Sequence, residues 1–146
     1  MARRSGILHR SNGIPLAAKV AALRGRGLAR AKEEIRLTVE SLIDEGFERE
    51  TDPTGHPWAP RKPPTGGWPL LQLTRKMFRS FIVAVSSRKV VVKNTALSAQ
   101  GRPYPLFHQR GTRKMQARRM VPSKGMPSRW RAEIDRAVAR ALKAVR

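Results

Sequence analysis

Apolar residues recur at helical spacing early in the chain, at Leu16, Val20 and Leu23 and then at Leu28, Ile35, Val39, Leu42, Ile43 and Phe47. A stripe of that period, with charge on the opposite side, predicts one long amphipathic helix. Pro15 suits a first helical position. Gly25 and Gly27 weaken the middle, each costing ~1 kcal/mol relative to Ala in a helix interior, so a break is expected near Arg24–Gly27; Gly46 lies near the end. Further on, Leu70, Leu71, Leu73, Met77, Phe78 and Phe81 predict a short helix with Arg75, Lys76 and Arg79 on its wet side. The β-branched run from Ile82 to Val85, the polar turn Ser86-Ser-Arg-Lys and the second run from Val90 to Asn94 predict a β-hairpin. Two strands alone are marginal, so the hairpin must pack on helices or join strands from elsewhere. A last helix is predicted from Pro127-Ser128, with Ser128 as N-cap. Its apolar face is Trp130, Ile134, Ala137 or Val138, Ala141, Leu142 and Val145. Glu133 and Asp135 sit early in it and Arg140, Lys143 and Arg146 late, as the helix dipole favours.

Three stretches lack such a pattern. Residues 1–14 read as a basic arm, with Arg3, Arg4 and Arg10 among Ser, Gly and Asn; arms of this kind often order only on a partner. Residues 51–69 hold six prolines and three glycines, a density that no helix or central strand survives. In that extended loop Trp58 and Trp68, together with Pro60, are candidate anchors, pinning the loop either to its own chain or to a neighbouring subunit, since interfaces are rich in aromatics. Residues 95–126 are rich in Gly, Pro and bases, with room for one helical turn near Tyr104. The whole reads as an arm (1–14) and a single α+β domain (15–146): a long N-terminal helix, a small antiparallel sheet, long loops and a C-terminal helix. A chain of 146 residues has the size of one ordinary domain and can bury a core without staples.

Charge changes this picture. The formal net charge is +21, far beyond what solubility requires, and implies self-repulsion relieved by a negative partner. From Pro53 to Ala132 there are seventeen Lys/Arg and no acid. Arg110, Arg113, Lys114, Arg118 and Arg119 form the densest cluster, a candidate contact for DNA or an acidic partner. Residues 33–52 reverse the sign, with eight acids against Arg36 and Arg49. Glu33, Glu40, Asp44 and Glu48 are therefore candidates for contact with a basic neighbouring copy; pairing of the same charges within one chain is equally compatible with the sequence.

Catalytic chemistry finds no support. His9, His56 and His108 have no carboxylate at a spacing that suggests an acid–base pair, and there is no His-x-x-x-His and no Cys, so neither a metal site nor a thiol nucleophile is expected. No cofactor and no enzymatic activity are expected. A nucleic-acid signal exists, but it is electrostatic only, without a finger, sheet or helix-turn-helix motif. No apolar run approaches the ~20 residues needed to span a bilayer, and the basic start lacks the apolar stretch of a secretory signal, so a soluble protein assembled inside a cell is expected. A membrane-surface role is disfavoured, because core-forming apolar residues are too large a share of the chain.

Several segments occur in a familiar order: a helix ending at Phe47, Asp52-Pro-x-Gly-x-Pro-Trp58-x-Pro60, Leu71-x-x-Thr74, a hairpin, Tyr104-x-x-x-His108-Gln109-x-Gly111, Arg118-Arg119-x-x-Pro122 and a C-terminal helix. Over roughly residues 30–146 this resembles the phage virion morphogenesis family, the tail-completion and neck proteins of tailed bacteriophages. The resemblance implies an α+β subunit of a ring, of six copies, between the DNA-filled head and the tail. Its neighbours would be a head-closure or connector ring and a tail-terminator or tail-tube ring, with genomic DNA in the channel. It also implies that Trp58 anchors the proline loop and that Tyr104, His108, Gln109 and Gly111 belong to a structural turn. The basic arm and the insertion before Leu70 depart from the pattern. The alternative is a nucleic-acid-binding protein without sequence preference, free in the cytoplasm.

Overall fold

The computed structural model describes residues 6–11, 25–62 and 67–144. Arg3, Arg4, the early apolar positions Leu16, Val20 and Leu23, the insertion core at 63–66, and Val145 and Arg146 lie outside them.

Helix α1 (Gly25–Arg49) begins at one of the two predicted weak points, with Gly25 at a φ of 59°. Ala31, Ile35, Val39, Leu42, Ile43 and Phe47 are its buried ladder, the face that a 3.6-residue period brings to one side. Its end is closed by a left-handed residue: Glu50 has a φ of 53°, and the Thr51 N–H donates to the Gly46 carbonyl at 3.0 Å, the bond pattern that satisfies orphan carbonyls at a helix C-terminus. The Gln72 side-chain amide donates to another, that of Phe47, at 3.2 Å.

The predicted hairpin is present as β2 (Phe81–Val85) and β3 (Val90–Asn94), antiparallel with Val83 opposite Val92. Alternation sends Val83, Val90, Val92 and Asn94 into the core and leaves Ile82 exposed. The third strand comes from the predicted arm. Gly6–Ser11 form β1, antiparallel to β3 with an irregularity between Ile7 and His9, in the strand order β1-β3-β2. Arg10 lies opposite Val91 in that register. The hairpin thus gains the additional strand it needed from its own chain.

Three local features differ from expectation. The helix predicted over Leu70–Phe81 is a single turn, α2 (Lys76–Arg79), because Leu71 and Arg75 adopt φ of 59° and 56°, which breaks any helix through them. Tyr104–Arg110 forms a two-turn helix, α3. The last helix, α4 (Ser128–Lys143), starts as predicted, but Pro127 holds the cap position and no side chain caps it, so Ser128 is the first helical residue and not the N-cap.

Helix α4 buries Trp130, Ile134, Ala137, Val138 and Ala141 and packs along α1. One hydrophobic core joins these two helices, the inner face of the sheet, Trp58, Leu70, Met77, Met120 and Val121. Phe47 is at a centre of it, edge-on to Trp58 at 5.3 Å, Phe78 at 5.0 Å and Phe81 at 5.9 Å. Asn94 is buried but satisfied: its amide donates to the Met77 carbonyl at 2.7 Å and its oxygen accepts from Ala96 N–H at 3.0 Å, as buried polar groups require.

Candidate functional site

The proline-rich loop folds back through a turn built on Asp52. One oxygen of that carboxylate accepts from the Thr54 N–H, the Thr54 hydroxyl and the His56 N–H. Partial burial alone would raise the Asp52 pKa, but these hydrogen bonds outweigh it and hold the pKa below its ordinary value. Glu50 then fastens both limbs of the loop. Its carbonyl accepts from Trp58 N–H at 2.7 Å and its carboxylate from Leu70 N–H at 2.7 Å.

The loop lies against residues 118–121. Trp58 is 5% exposed, and its indole N–H donates to the Arg119 carbonyl at 2.9 Å. The Arg118 guanidinium donates to the carbonyls of Ala59 at 2.8 Å and Pro60 at 3.0 Å. Trp68 is different: it is 40% exposed, and Arg61 packs over its ring at 5.1 Å while donating to its carbonyl. Trp58 and Pro60 therefore sit at a fixed seam, and Trp68 sits outside it.

Beneath the seam, α3 ends in a tight return. Gln109 is 3% exposed; its amide donates to the Val121 carbonyl at 2.7 Å, and its oxygen accepts from the N–H groups of Met120 and Val121. The Arg118 N–H donates to the His108 carbonyl at 2.8 Å. Gly111 has a φ of 75°, and a Cβ there would lie 2.9 Å from the Ala117 nitrogen, so both conformation and space demand glycine. The Tyr104 ring meets His108 edge-on at 6.3 Å. The buried His108 Nδ1 has no hydrogen-bond partner among the described residues. Burial and then the nearby Arg118 charge push its pKa below the ordinary 6.5.

From this return the chain projects a loop closed by the Thr112 N–H to the Met115 carbonyl at 2.8 Å. Arg110, Arg113 and Lys114 lie along it with exposed side chains, and with Lys62 of the proline loop they line an open groove of about 420 Å³ that no acid among the described residues enters. Of the five predicted basic residues, Arg110, Arg113 and Lys114 are brought together here. Arg118 is turned into the seam, and Arg119 is exposed beside it. Lys62 had no signal in the sequence, since only the docking of the two loops makes it a neighbour of Arg110–Lys114.

The acidic segment is cross-linked within its own chain. Arg36 bridges Glu33 at 2.6 Å and Glu40 at 2.7 Å. Glu34 takes Arg30 at 3.2 Å and Arg140 of α4 at 3.6 Å. Glu45 takes Arg49 at 3.1 Å and also Arg129 of α4. Asp44 and Glu48 make no ion pair among the described residues. Partial burial, and then the Glu40 and Glu48 carboxylates, raise the Asp44 pKa.

Among the described residues no group of His, Asp and Glu could hold a metal ion, and no helix is long and apolar enough to cross a membrane. The model of the phage virion morphogenesis family matches residues 15–145. No curated protein and no solved structure matches the chain.

Proposed function

The chain belongs to the phage virion morphogenesis family, and from that premise we propose that it is a tail-completion or neck subunit, six copies of which form a ring joining the head connector to the tail around the DNA channel. The family match over nearly the whole chain carries this reading, and it makes the role one of virion assembly. The subunit's form is in keeping with it. A packed α1–α4 pair and a small sheet carry two docked loops whose outer edges are strongly basic, a suitable surface for rings that meet other rings or enclose DNA. The proposed neighbours are a head-closure or connector ring on one side and a tail-terminator or tail-tube ring on the other, with assembly in the cytoplasm of a bacterial host.

The test is a phage carrying a stop codon early in this gene. Electron microscopy of the lysate should show filled heads and tails that fail to join, and adding purified protein should restore infectious particles. Complete infectious particles without the protein would sink the reading. So would its absence from purified virions, the result expected of a nucleic-acid-binding factor acting free in the cytoplasm.

A further inference from the structure

We infer that the groove between the two docked loops, lined by Lys62, Arg110, Arg113 and Lys114, is a binding site for the phosphodiester backbone of nucleic acid. The inference deepens the neck reading, resting on it only for the source of the DNA.

Two partners have the right charge, a phosphate backbone and the acidic helix of a second copy, and the ion pairs favour the first. Glu33, Glu34, Glu40 and Glu45 already hold arginines of their own chain. A neighbour's helix α1 would therefore offer the groove only Asp44 and Glu48 free of such pairs among the described residues. The four groove cations make no ion pair among the described residues, and their side chains are exposed. The return that carries Arg110, Arg113 and Lys114 is fixed from below by Gln109, by Gly111 and by the Arg118 N–H, so these three charges are presented on a shaped wall and not on a loose tail. Preorganised arginines suit phosphate, because a guanidinium can donate two parallel bonds to it. Among the described residues the wall holds no aromatic stacking platform, so recognition is of backbone and not of sequence.

The test uses purified full-length protein and a short fluorescent duplex, with anisotropy measured across a salt series. Phosphate contacts release counterions, and four of them give a log K against log salt slope of roughly −3.5, a loss of about a hundredfold between ~50 and ~200 mM salt. Replacing Lys62, Arg110, Arg113 and Lys114 together by Ser should make the slope shallower by about that amount and weaken binding by at least tenfold at low salt. All four side chains are exposed, so the variant should keep its helical circular dichroism. A control removes the same charge elsewhere, at the exposed Arg79, Arg88, Lys124 and Arg131; it should lose clearly less. Equal losses in the two variants would overturn the inference, because net charge alone would then explain binding. Undiminished DNA binding by the groove variant together with lost self-association in sedimentation would also overturn it, assigning the groove to a second copy. Neither readout requires a particle, so failure here is distinct from failure of the neck assignment.

Discussion

The surroundings of His108 favour its neutral form: its Nδ1 is buried with no hydrogen-bond partner among the described residues, and the neighbouring charge is that of Arg118. An unfolded chain restores the ordinary pKa of 6.5, so below that value the unfolded state binds more protons than the folded one. The His108 share of stability is therefore constant above about pH 6.5, falls as pH drops from there to the lowered folded pKa, and levels off beneath it. Urea midpoints at neutral and mildly acid pH should show wild type losing more than His108→Gln; parallel profiles would show that the imidazole is not desolvated. The sequence displayed His108 and Gln109 as part of a motif without displaying what each does. Gln109 proves to be a three-bond clamp on Met120 and Val121, a role invisible in a local pattern because its partners lie beyond the basic loop.

At the scale of elements, helices α1 and α4 and the hairpin were legible because their periods repeat over enough residues to mark a buried face. The stretch from Leu70 to Phe81 was misleading for a physical reason. Leu70, Met77 and Phe78 reach one core from a chain that turns twice through left-handed residues, so their spacing imitates a helix that Leu71 and Arg75 interrupt. Strand β1 was hidden because its pairing partner, β3, is far away in sequence and its own residues carry no β-branched alternation. The proline loop behaves as an element too, with Trp58 as its fixing point. Trp58→Ala should cost about 3–5 kcal/mol. Trp58→Phe keeps the ring against Phe47 but loses the bond to the Arg119 carbonyl, and should cost about 1–2 kcal/mol. Urea unfolding of the two variants checks the order, and an unchanged midpoint for the alanine variant would show that the loop is not docked through this side chain.

For the whole molecule, the balance lies between a net charge of +21 and a set of mostly exposed in-chain ion pairs. Each such pair is worth ~0–1 kcal/mol, whereas excess positive charge opposes compaction everywhere at once. Salt weakens both, so the melting temperature should rise as ionic strength goes from about 0.01 M to about 0.15 M, where the screening length shrinks to about 8 Å. A fall over that range would show that the Glu34, Glu40 and Glu45 bridges outweigh the repulsion. Segregation of charge along the sequence was plain; which chain answers it was not, because Arg129 and Arg140 reach Glu45 and Glu34 only after α4 has packed on α1.

The seam between Trp58 and Arg119 also sets an order of events. Its hydrogen bond closes across 61 residues of chain, and α1 waits still longer for the apolar face of α4. While the protein is being synthesised, the first half leaves the ribosome with its apolar stripe uncovered and its aromatic latch without a catch. The structure can lock only once α4 has emerged, so a chain cut short before Trp130 leaves the buried ladder of α1 without its cover.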